Sequence, residues 1–205
     1  QRRLHPRLGK RFMILIGLTG SIGMGKSTAS AMFRACGVPV YDADAAVHRL
    51  YAGPAVEPMS HSFPEAIVNG CVDRTILSRL VMSDPAALRR IEAIVHPLVA
   101  RDRADFLQNV AAQSLSACVL DVPLLFETGG DRAVDVIVVV SASPEVQQAR
   151  VLARPGMSAE KYATILTKQT PDREKRRRAH FVVDTGRGLE AARRQVQAFL
   201  VSLGN

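Results

Sequence analysis

The stretch Gly20-Ser21-Ile22-Gly23-Met24-Gly25-Lys26-Ser27 fills the pattern G-x-x-x-x-G-K-[ST]. It follows the apolar run Met13 to Leu18, which has the composition of a strand, and it precedes an amphipathic stretch through Met32 and Phe33. Because these flanks are typical of a strand and a helix, a chance match that forms only a flexible turn with a solvated lysine is disfavoured. The stretch therefore predicts a strand, a glycine-rich turn and a helix N-terminus that together bind a polyphosphate.

Each part of this turn has an expected role in holding a nucleotide. Glycines lack a Cβ atom, so the backbone can approach phosphate oxygens closely and present its N–H groups to them. Lys26 is expected to reach the β- and γ-phosphates, and the hydroxyl of Ser27 is expected to help hold Mg²⁺. The residues predicted to bind the nucleotide are Gly20, Ser21, Gly23, Met24, Gly25, Lys26, Ser27 and Thr28.

Length and composition set the class of protein. The chain has 205 residues, of which 47% are hydrophobic, and this suffices for one α/β domain with appended helical pieces. No apolar run approaches the ~20 residues needed to cross a bilayer, so no association with a membrane is expected. Gln1 to Phe12 is expected to be a disordered extension, with Met13 as a plausible initiator.

The cysteines favour a reducing compartment. Cys36, Cys71 and Cys118 are odd in number, widely spaced and form no C-x-x-C pair. Cys36 and Cys118 have apolar neighbours in the sequence and are expected to be reduced core residues. A cytoplasmic location fits this pattern.

The formal net charge of +8 indicates a protein that handles anions. Nucleic acid is one such anion, and the basic run Arg173 to Arg178 could contact it. Only 5% of the residues are aromatic, and they do not alternate with basic residues in the way that stacks bases, so no nucleic-acid partner is expected. The basic run could equally be a solvated helix face, and charge alone does not separate these interpretations.

Apolar runs that alternate with helical patterns predict a parallel sheet with helices on its faces. The first helix is expected over Lys26 to Ala35, with Gly37 as its C′ residue, and the last over about Leu189 to Leu203. The fold class is therefore α/β, with a P-loop NTPase-like parallel five-stranded sheet flanked by helices. The candidate strands are Ile14–Leu18, Val38–Tyr41, Ala117–Val122, Val134–Val140 and Phe181–Val183.

The core is expected to comprise about residues 13–44, 115–143 and 180–205, and two longer segments are inserted between these parts. Residues 45–114 show no convincing strand and are too many for an ordinary crossover, so they are expected to form a helical insertion that makes a wall over the site. Residues 144–179 are helical, basic and polar, and are expected to close over bound nucleotide as a lid. The helices expected in the insertion are Ala45–Tyr51, Arg74–Met82, Pro85–Val95 and Pro97–Val110, with Ser83 or Asp84 as the cap of the third.

Carboxylates at the carboxyl ends of strands are candidates for proton transfer and metal binding. Asp42 and Asp44 follow the second strand, and such positions line the ligand crevice of open α/β sheets. Either could accept a proton from an attacking hydroxyl or hold Mg²⁺ through water, or they could act only locally, Asp44 as a helix cap and Asp42 in a turn. Asp44 is the better candidate for the base, because Asp42 lies closer to the strand. Asp121 ends the third strand, where a second acidic residue of P-loop proteins lies near Mg²⁺.

Arginines in the predicted lid are candidates for stabilising charge on a transferred phosphoryl group. Arg150 and Arg154 are four residues apart and share one face of a helix that begins near Pro144. A guanidinium group beside a P-loop stabilises the charge that develops during transfer, which favours a catalytic Arg150 over a merely solvated one. His96, next to Pro97 at the junction of two predicted helices, is by itself more typical of a packed polar residue than of a catalyst.

The order of these motifs resembles the dephospho-coenzyme A kinase family over about residues 13–186. The resemblance implies phosphorylation of the ribose 3′-hydroxyl of dephospho-coenzyme A by MgATP, the last step of coenzyme A synthesis. The matching elements are, in chain order, IGLTGSIGMGKST at 16–28, DAD at 42–44, IVHP at 94–97, PLLFE at 123–127, RVLAR at 150–154, GMS at 156–158 and Gln169.

The resemblance also implies roles for individual residues, in a cytoplasmic enzyme expected to be a monomer or a weak oligomer. The acceptor, a small molecule, is implied to bind to the helical insertion. The implied roles are ATP binding for Lys26 and its loop, Mg²⁺ contact for Ser27, the base for Asp44, closure on the phosphates for Arg150, and acceptor binding for Asp44, His96 and Leu124.

Two other functions stay open on the residues alone. A small P-loop kinase for nucleosides or nucleoside monophosphates would share ATP, Mg²⁺ and the lid, and would differ only in its acceptor. A nucleotide-gated nucleic-acid-binding module would use the run Arg173–Arg178. The positions that depart from the family pattern are Ser21 for a glycine, Pro155 for a polar residue, Ile165 for an arginine and Thr185 for an asparagine near the adenine.

Overall fold

The computed structural model describes residues 13–204, and the predicted extension at residues 1–12 lies outside this described part. Among the described residues, no helix combines the length and the apolar surface that a bilayer crossing requires. The strands are β1 (Ile14–Thr19), β2 (Val40–Asp42), β3 (Ile67–Val68), β4 (Cys71–Val72), β5 (Ala117–Asp121), β6 (Val136–Ser141) and β7 (Phe181–Asp184). The α-helices are α1 (Lys26–Ala35), α2 (Ala43–Tyr51), α3 (Val56–Ser62), α4 (Arg74–Ser83), α5 (Pro85–Ala112), α6 (Pro144–Leu152), α7 (Ala159–Thr167), α8 (Asp172–Arg178) and α9 (Leu189–Ser202).

Five strands form one sheet in the order β2-β5-β1-β6-β7, and this confirms the predicted α/β class with a five-stranded parallel sheet. β1 lies at the centre and pairs in parallel with β5 on one side and β6 on the other, with Gly17 opposite Leu120 and Ile137. β6 also pairs in parallel with β7. Every residue of β6 is buried, as its nearly unbroken apolar sequence predicts for a strand covered on both faces.

Helices α1 and α9 pack together against the sheet. Phe33 of α1 contacts Phe199 of α9 edge to face, with ring centroids 6.2 Å apart, and Phe199 also lies against Phe181 of β7 at 5.0 Å. Val138 and Val196 are fully buried in the same cluster. Because this core holds both β1 and α1, the turn that connects them has a defined shape.

The chain divides into two compact units. Among the described residues, 13–40 and 111–204 form the first unit, and Tyr41–Val110 form the second, which has its own apolar core around Phe63. The bounds of the second unit lie close to those of the helical insertion expected at about 45–114.

The second unit contains a short antiparallel hairpin, β3–β4, so the prediction that this segment has no strand is wrong. Val68 faces Cys71 across a turn at Asn69 and Gly70, whose φ angles are 51° and 75°. Asn-Gly is the dipeptide that favours a two-residue turn with positive φ at both positions. Strands of two residues carry too little alternation to be recognised, so only the Asn-Gly pair could have indicated the hairpin.

Helix α5 runs without interruption through Pro97, so the prediction of two helices that meet at His96-Pro97 is wrong. Proline removes a backbone hydrogen bond and usually ends or kinks a helix. Here Ile91 and Val95 before the proline are buried, and Leu98 after it packs on the same cluster. Burial of one helix face on both sides of Pro97 offsets the lost bond.

The ends of α1 and α5 confirm two predicted caps, and the exposure of Cys36 shows that its predicted place in the core is wrong. Gly37 follows α1 with a φ of 79°, and Asp84 caps α5, where its carboxylate accepts from the N–H of Ala86 at 2.8 Å.

Cys118 is buried in β5, but Cys36 is exposed and not a core residue. The reason is its position, since Cys36 follows the last residue of α1, beyond the face that packs on the sheet.

Candidate active site

The turn between β1 and α1 has the conformation that its glycines predict. Gly23 and Gly25 have positive φ angles of 79° and 87°, and Gly25 is the residue that precedes α1. At Gly23 a Cβ atom would lie 2.5 Å from Cγ2 of Val151, so a larger residue would also collide with α6. The turn therefore depends on glycine at both positions.

The N-terminus of α1 presents backbone N–H groups without a side-chain cap. Helices α2, α4, α6 and α7 each begin with a side chain that accepts a hydrogen bond from the first turn, whereas α1 begins with Gly25 and has no acidic residue in its first turn. Within residues 13–204, the N–H groups of Gly23, Gly25, Lys26 and Ser27 take part in none of the turn's hydrogen bonds. Four such donors at the positive end of a helix are suited to binding phosphate.

Lys26, Ser30 and Asp121 form one polar cluster beside the turn. The Nζ atom of Lys26 forms an ion pair with Oδ1 of Asp121, and the hydroxyl of Ser30 donates to Oδ2. These two bonds engage both carboxylate oxygens of Asp121, which ends β5 and is 1% exposed. The structure thus joins a predicted phosphate-binding lysine to a predicted metal-site carboxylate. Sequence reasoning missed Ser30, although it lies one helical turn after Lys26 on the same face of α1.

Arg150 of α6 is held at the same turn by Thr185. Its Nη1 atom donates to Oγ1 of Thr185 at 3.0 Å, and its Nη2 atom donates to the backbone oxygen of Thr185 at 2.8 Å. The hydroxyl of Thr185 donates to the backbone oxygen of Met24, also at 2.8 Å. Thr185 therefore connects Arg150 to the turn, a contact that the sequence did not reveal.

The loop after β5 holds Leu124 at the surface. Thr19, the last residue of β1, donates a hydrogen bond to the backbone oxygen of Pro123 at 3.0 Å, and Leu125 and Phe126 are buried. Leu124, by contrast, is 40% exposed. The side chain is therefore available to contact a ligand, as its predicted role in acceptor binding requires.

Glu127 ties this loop to the segment that leads into α8. Its Oε1 atom accepts a hydrogen bond from the N–H of Thr170 at 2.7 Å and lies 3.0 Å from Nζ of Lys175, whose side chain is fully buried. Burial raises the pKa of Glu127, but the hydrogen bonds and the charge of Lys175 outweigh this effect, so the pKa lies below its usual value. The ionised carboxylate neutralises a buried ammonium group.

Glu127→Gln is expected to lower the free energy of unfolding at neutral pH by roughly 1 to 3 kcal/mol, because it leaves Lys175 buried without a counter-charge. A carboxyl group whose pKa is lowered by folding stabilises the protein above its unfolded pKa. That contribution is lost as the pH falls through the folded pKa. The difference between wild type and E127Q should therefore shrink between neutral pH and about pH 3, as measured by urea unfolding at a series of pH values.

Glu174→Gln is the matched control for this measurement. Glu174 pairs with Arg177 at 3.0 Å on the exposed face of α8. Such a surface pair contributes about 0 to 1 kcal/mol, so E174Q should change stability little at any pH. Equal losses in the two variants, or a loss in E127Q that does not depend on pH, would show that the pair of Glu127 with Lys175 does not stabilise the fold.

The basic run Arg173–Arg178 lies in α8, and several of its charges are engaged within the protein. Lys175 is buried, as described, and not part of a solvated face. Arg178 forms an ion pair with Asp131 at 2.6 Å, and its guanidinium group lies 4.2 Å from the centroid of the Phe126 ring. These contacts give the run a structural role that requires no nucleic acid.

Asp42, Asp44 and His96 belong to the second unit. Asp42 caps α2 by accepting from the N–H of Ala45 at 2.9 Å, so the cap role considered for Asp44 belongs to Asp42 instead. Asp44 is exposed in the first turn of α2, and His96 is exposed within α5. Both side chains are therefore accessible to a substrate.

The oxygen-bearing side chains near the turn suit Mg²⁺, an ion that needs few protein ligands. Among the described residues, no group of three or more His, Cys, Asp or Glu side chains is arranged to hold a metal. Mg²⁺ keeps several waters and binds phosphate oxygens, so one or two protein oxygens suffice. The exposed hydroxyl of Ser27 is an oxygen donor of this type. The carboxylate of Asp121 is buried and already bonded to Lys26 and Ser30, so it suits contact with the ion through a bridging water.

Comparisons of sequence agree on one family. A sequence model of dephospho-CoA kinases matches residues 14–190. The chain is similar to a dephospho-CoA kinase of Mesorhizobium japonicum, with 57% identity over 191 residues, 93% of this chain and 97% of that protein. It is also 53% identical over 191 residues to a dephospho-CoA kinase of Bradyrhizobium diazoefficiens, with 93% and 96% of the two chains covered.

Two solved structures share the fold of this chain over nearly its whole length. The crystal structure of TT1252 from Thermus thermophilus superposes with a TM-score of 0.81 at 40% identity, over 93% of this chain and 98% of that chain. Dephospho-CoA kinase from Campylobacter jejuni superposes with a TM-score of 0.66 over 92% and 96% of the two chains. At 19% identity, this second likeness shows the shared fold.

Proposed function

The chain belongs to the dephospho-CoA kinase family, and we propose that Lys26, Asp44 and Arg150 carry the family's reaction in it. The reaction is the ATP-dependent phosphorylation of dephospho-coenzyme A. We place the transferred group on the ribose 3′-hydroxyl. The glycine turn is the strongest support for ATP as the phosphoryl donor, because within the described residues the N–H groups of Gly23, Gly25, Lys26 and Ser27 take part in none of the turn's hydrogen bonds.

The turn binds the triphosphate of ATP through the N–H groups at residues 23 and 25–27. Lys26 adds a positive charge at the β- and γ-phosphates from the first residue of α1. Arg150, held by two hydrogen bonds to Thr185, supplies a second cation for the charge that develops during transfer.

Asp44 is the proposed base. It accepts the proton of the ribose hydroxyl while the hydroxyl oxygen attacks the γ-phosphorus of ATP. The bond from that phosphorus to the β–γ bridging oxygen breaks, ADP leaves, and Asp44 later releases the proton to water. The exposed position of Asp44 suits this exchange, and the cap of α2 does not depend on it, because Asp42 provides the cap.

The remaining contacts concern the metal and the acceptor. Ser27 and Asp121 are the proposed ligands of Mg²⁺, which screens the negative charge of the phosphates when it is bound. His96 and Leu124 are the proposed acceptor contacts, since both are exposed. We place the reaction in the cytoplasm, with the protein acting as a monomer or a weak oligomer.

Phosphorylation of nucleosides or nucleoside monophosphates is the nearest alternative reaction. The family match and the relative at 57% identity favour dephospho-coenzyme A over those acceptors. A coupled assay of ADP release, run with dephospho-coenzyme A, nucleosides and nucleoside monophosphates at matched concentrations, tests the choice. Preferential turnover of a nucleoside monophosphate would overturn the acceptor assignment.

Arg150→Lys is expected to lower kcat/KM for ATP by about tenfold, because lysine keeps the charge but cannot form the paired contacts of a guanidinium group. Steady-state kinetics with ATP varied at saturating acceptor measures this effect. Arg194→Lys is the matched control, since Arg194 is an exposed arginine of α9 with no proposed role in the site. Wild-type kinetics in R150K would exclude Arg150 from the phosphate contacts.

A further inference from the structure

Two glutamines hold the backbone of Ile22, which lies within the phosphate-binding turn. The Nε2 atom of Gln147 donates to the carbonyl oxygen of Ile22 at 2.7 Å, and the N–H of Ile22 donates to Oε1 of Gln169 at 3.1 Å. Gln147 belongs to α6 and is 6% exposed, and Gln169 follows α7. Side chains from the segment between β6 and β7 therefore bind both backbone groups of one turn residue.

Each of these bonds fixes a peptide group that the turn uses. Because a trans peptide is planar, the carbonyl of Ile22 and the N–H of Gly23 form one rigid unit and point in opposite directions. Gln147 therefore sets the direction of the Gly23 N–H, one of the proposed phosphate donors. In the same way, the N–H of Ile22 is rigidly joined to the carbonyl of Ser21, which accepts from the N–H of Met24 at 3.1 Å.

Packing of α6 against the turn supports the same arrangement. A Cβ atom at Gly23 would lie 2.5 Å from Cγ2 of Val151 and 3.0 Å from the backbone oxygen of Gln147, so the helix lies directly against the turn. The N–H of Ala142, at the end of β6, lies 3.1 Å from the sulfur of Met24. The turn is thus supported from the side of Gln147, opposite to the direction of the Gly23 N–H.

We propose that Gln147 and Gln169 are positioning residues that orient the two peptide groups of Ile22 and so aim the turn at ATP. This inference rests on the proposed function, which gives the turn a triphosphate to bind. The two glutamines have opposite polarity in these bonds, because Gln147 donates and Gln169 accepts. If the two side chains only filled space, exchanging a donor for an acceptor would have the same effect at both positions, so the proposal can be tested.

Glutamate at each position provides the test, because both variants add one negative charge beside Ile22. Gln169→Glu keeps an oxygen that accepts from the N–H of Ile22, whereas Gln147→Glu places a carboxylate against its carbonyl oxygen. Q147E is expected to raise the Kd for ATP by about tenfold or more relative to Q169E, and to leave the KM for dephospho-coenzyme A within about twofold of wild type. Isothermal titration calorimetry with ATP and steady-state kinetics measure these quantities.

Two further variants control for the added charge and for a failure of Q147E to fold. Gln148→Glu is the control for charge, because Gln148 is exposed on the same helix, and it should keep the wild-type Kd. Gln147→Met removes the donor without adding charge and should also weaken ATP binding, which covers the case in which Q147E does not fold. Equal Kd values in Q147E and Q169E, or wild-type affinity in Q147M, would overturn the positioning role. Wild-type protein that binds ATP but releases no ADP with dephospho-coenzyme A would instead contradict the proposed function.

Discussion

Lys26→Met is expected to lower kcat/KM for ATP by roughly 10²- to 10³-fold, because it removes the ammonium group that follows the phosphate-binding turn. The loss should appear in both the affinity for ATP and the turnover, since the contact with the γ-phosphate strengthens as charge develops there. Steady-state kinetics at saturating dephospho-coenzyme A gives the turnover, and calorimetric titration with ATP gives the affinity.

The same substitution also affects stability, and a second variant separates this effect from catalysis. Asp121 is buried and loses its counter-ion in K26M, so the free energy of unfolding is expected to fall by about 1 to 3 kcal/mol. Adding Asp121→Asn to K26M removes the unpaired charge and should restore part of the stability. Because Asp121 is itself a proposed Mg²⁺ ligand, the activity of the double variant is compared with that of D121N alone and should be lower. Equal activity in the two would show that Lys26 acts through folding and not through phosphate.

Asp44→Asn is expected to lower kcat by about 10²-fold or more while the KM for ATP changes little. The amide has nearly the shape of the carboxylate but cannot accept the proton of the attacking hydroxyl, so the loss falls on the chemical step. Helix α2 should stay intact, because Asp42 provides its cap. The rate of ADP release at saturating substrates, with thermal unfolding measured alongside, tests this expectation.

Asp105→Asn is the matched control for Asp44→Asn. Asp105 is an exposed acid on α5 in the same unit, and D105N should keep the wild-type kcat. A wild-type rate in D44N would exclude Asp44 as the base. A larger loss in Asp42→Asn than in D44N would assign the proton transfer to Asp42.

The sheet and the turn could be predicted from the sequence because their signals are local. The strands of the sheet are short apolar runs, and the turn is a contiguous pattern with a strand before it and a helix after it. The prediction failed where packing overrides local preference. Pro97 indicates a helix end, yet burial on both sides of it keeps α5 continuous.

Most contacts around the turn could not be predicted, because they join residues that are far apart in the chain. Thr185 and Met24 are separated by 161 residues, and the spacing of apolar residues in the sequence does not indicate a hydrogen bond between residues so far apart. Ser30 is a different case, since its spacing from Lys26 places both on one face of α1 next to Asp121. A search for polar residues that share a helix face with the lysine would have found it.

The identity of the reaction product decides whether this protein phosphorylates dephospho-coenzyme A. The purified protein, incubated with ATP, Mg²⁺ and dephospho-coenzyme A, should release ADP and an equal amount of coenzyme A. Mass spectrometry should show one added phosphoryl group, and ³¹P NMR should show a phosphomonoester at the ribose 3′ position. No phosphorylated product, or a product with the new phosphate at another position, would rule out the proposed reaction.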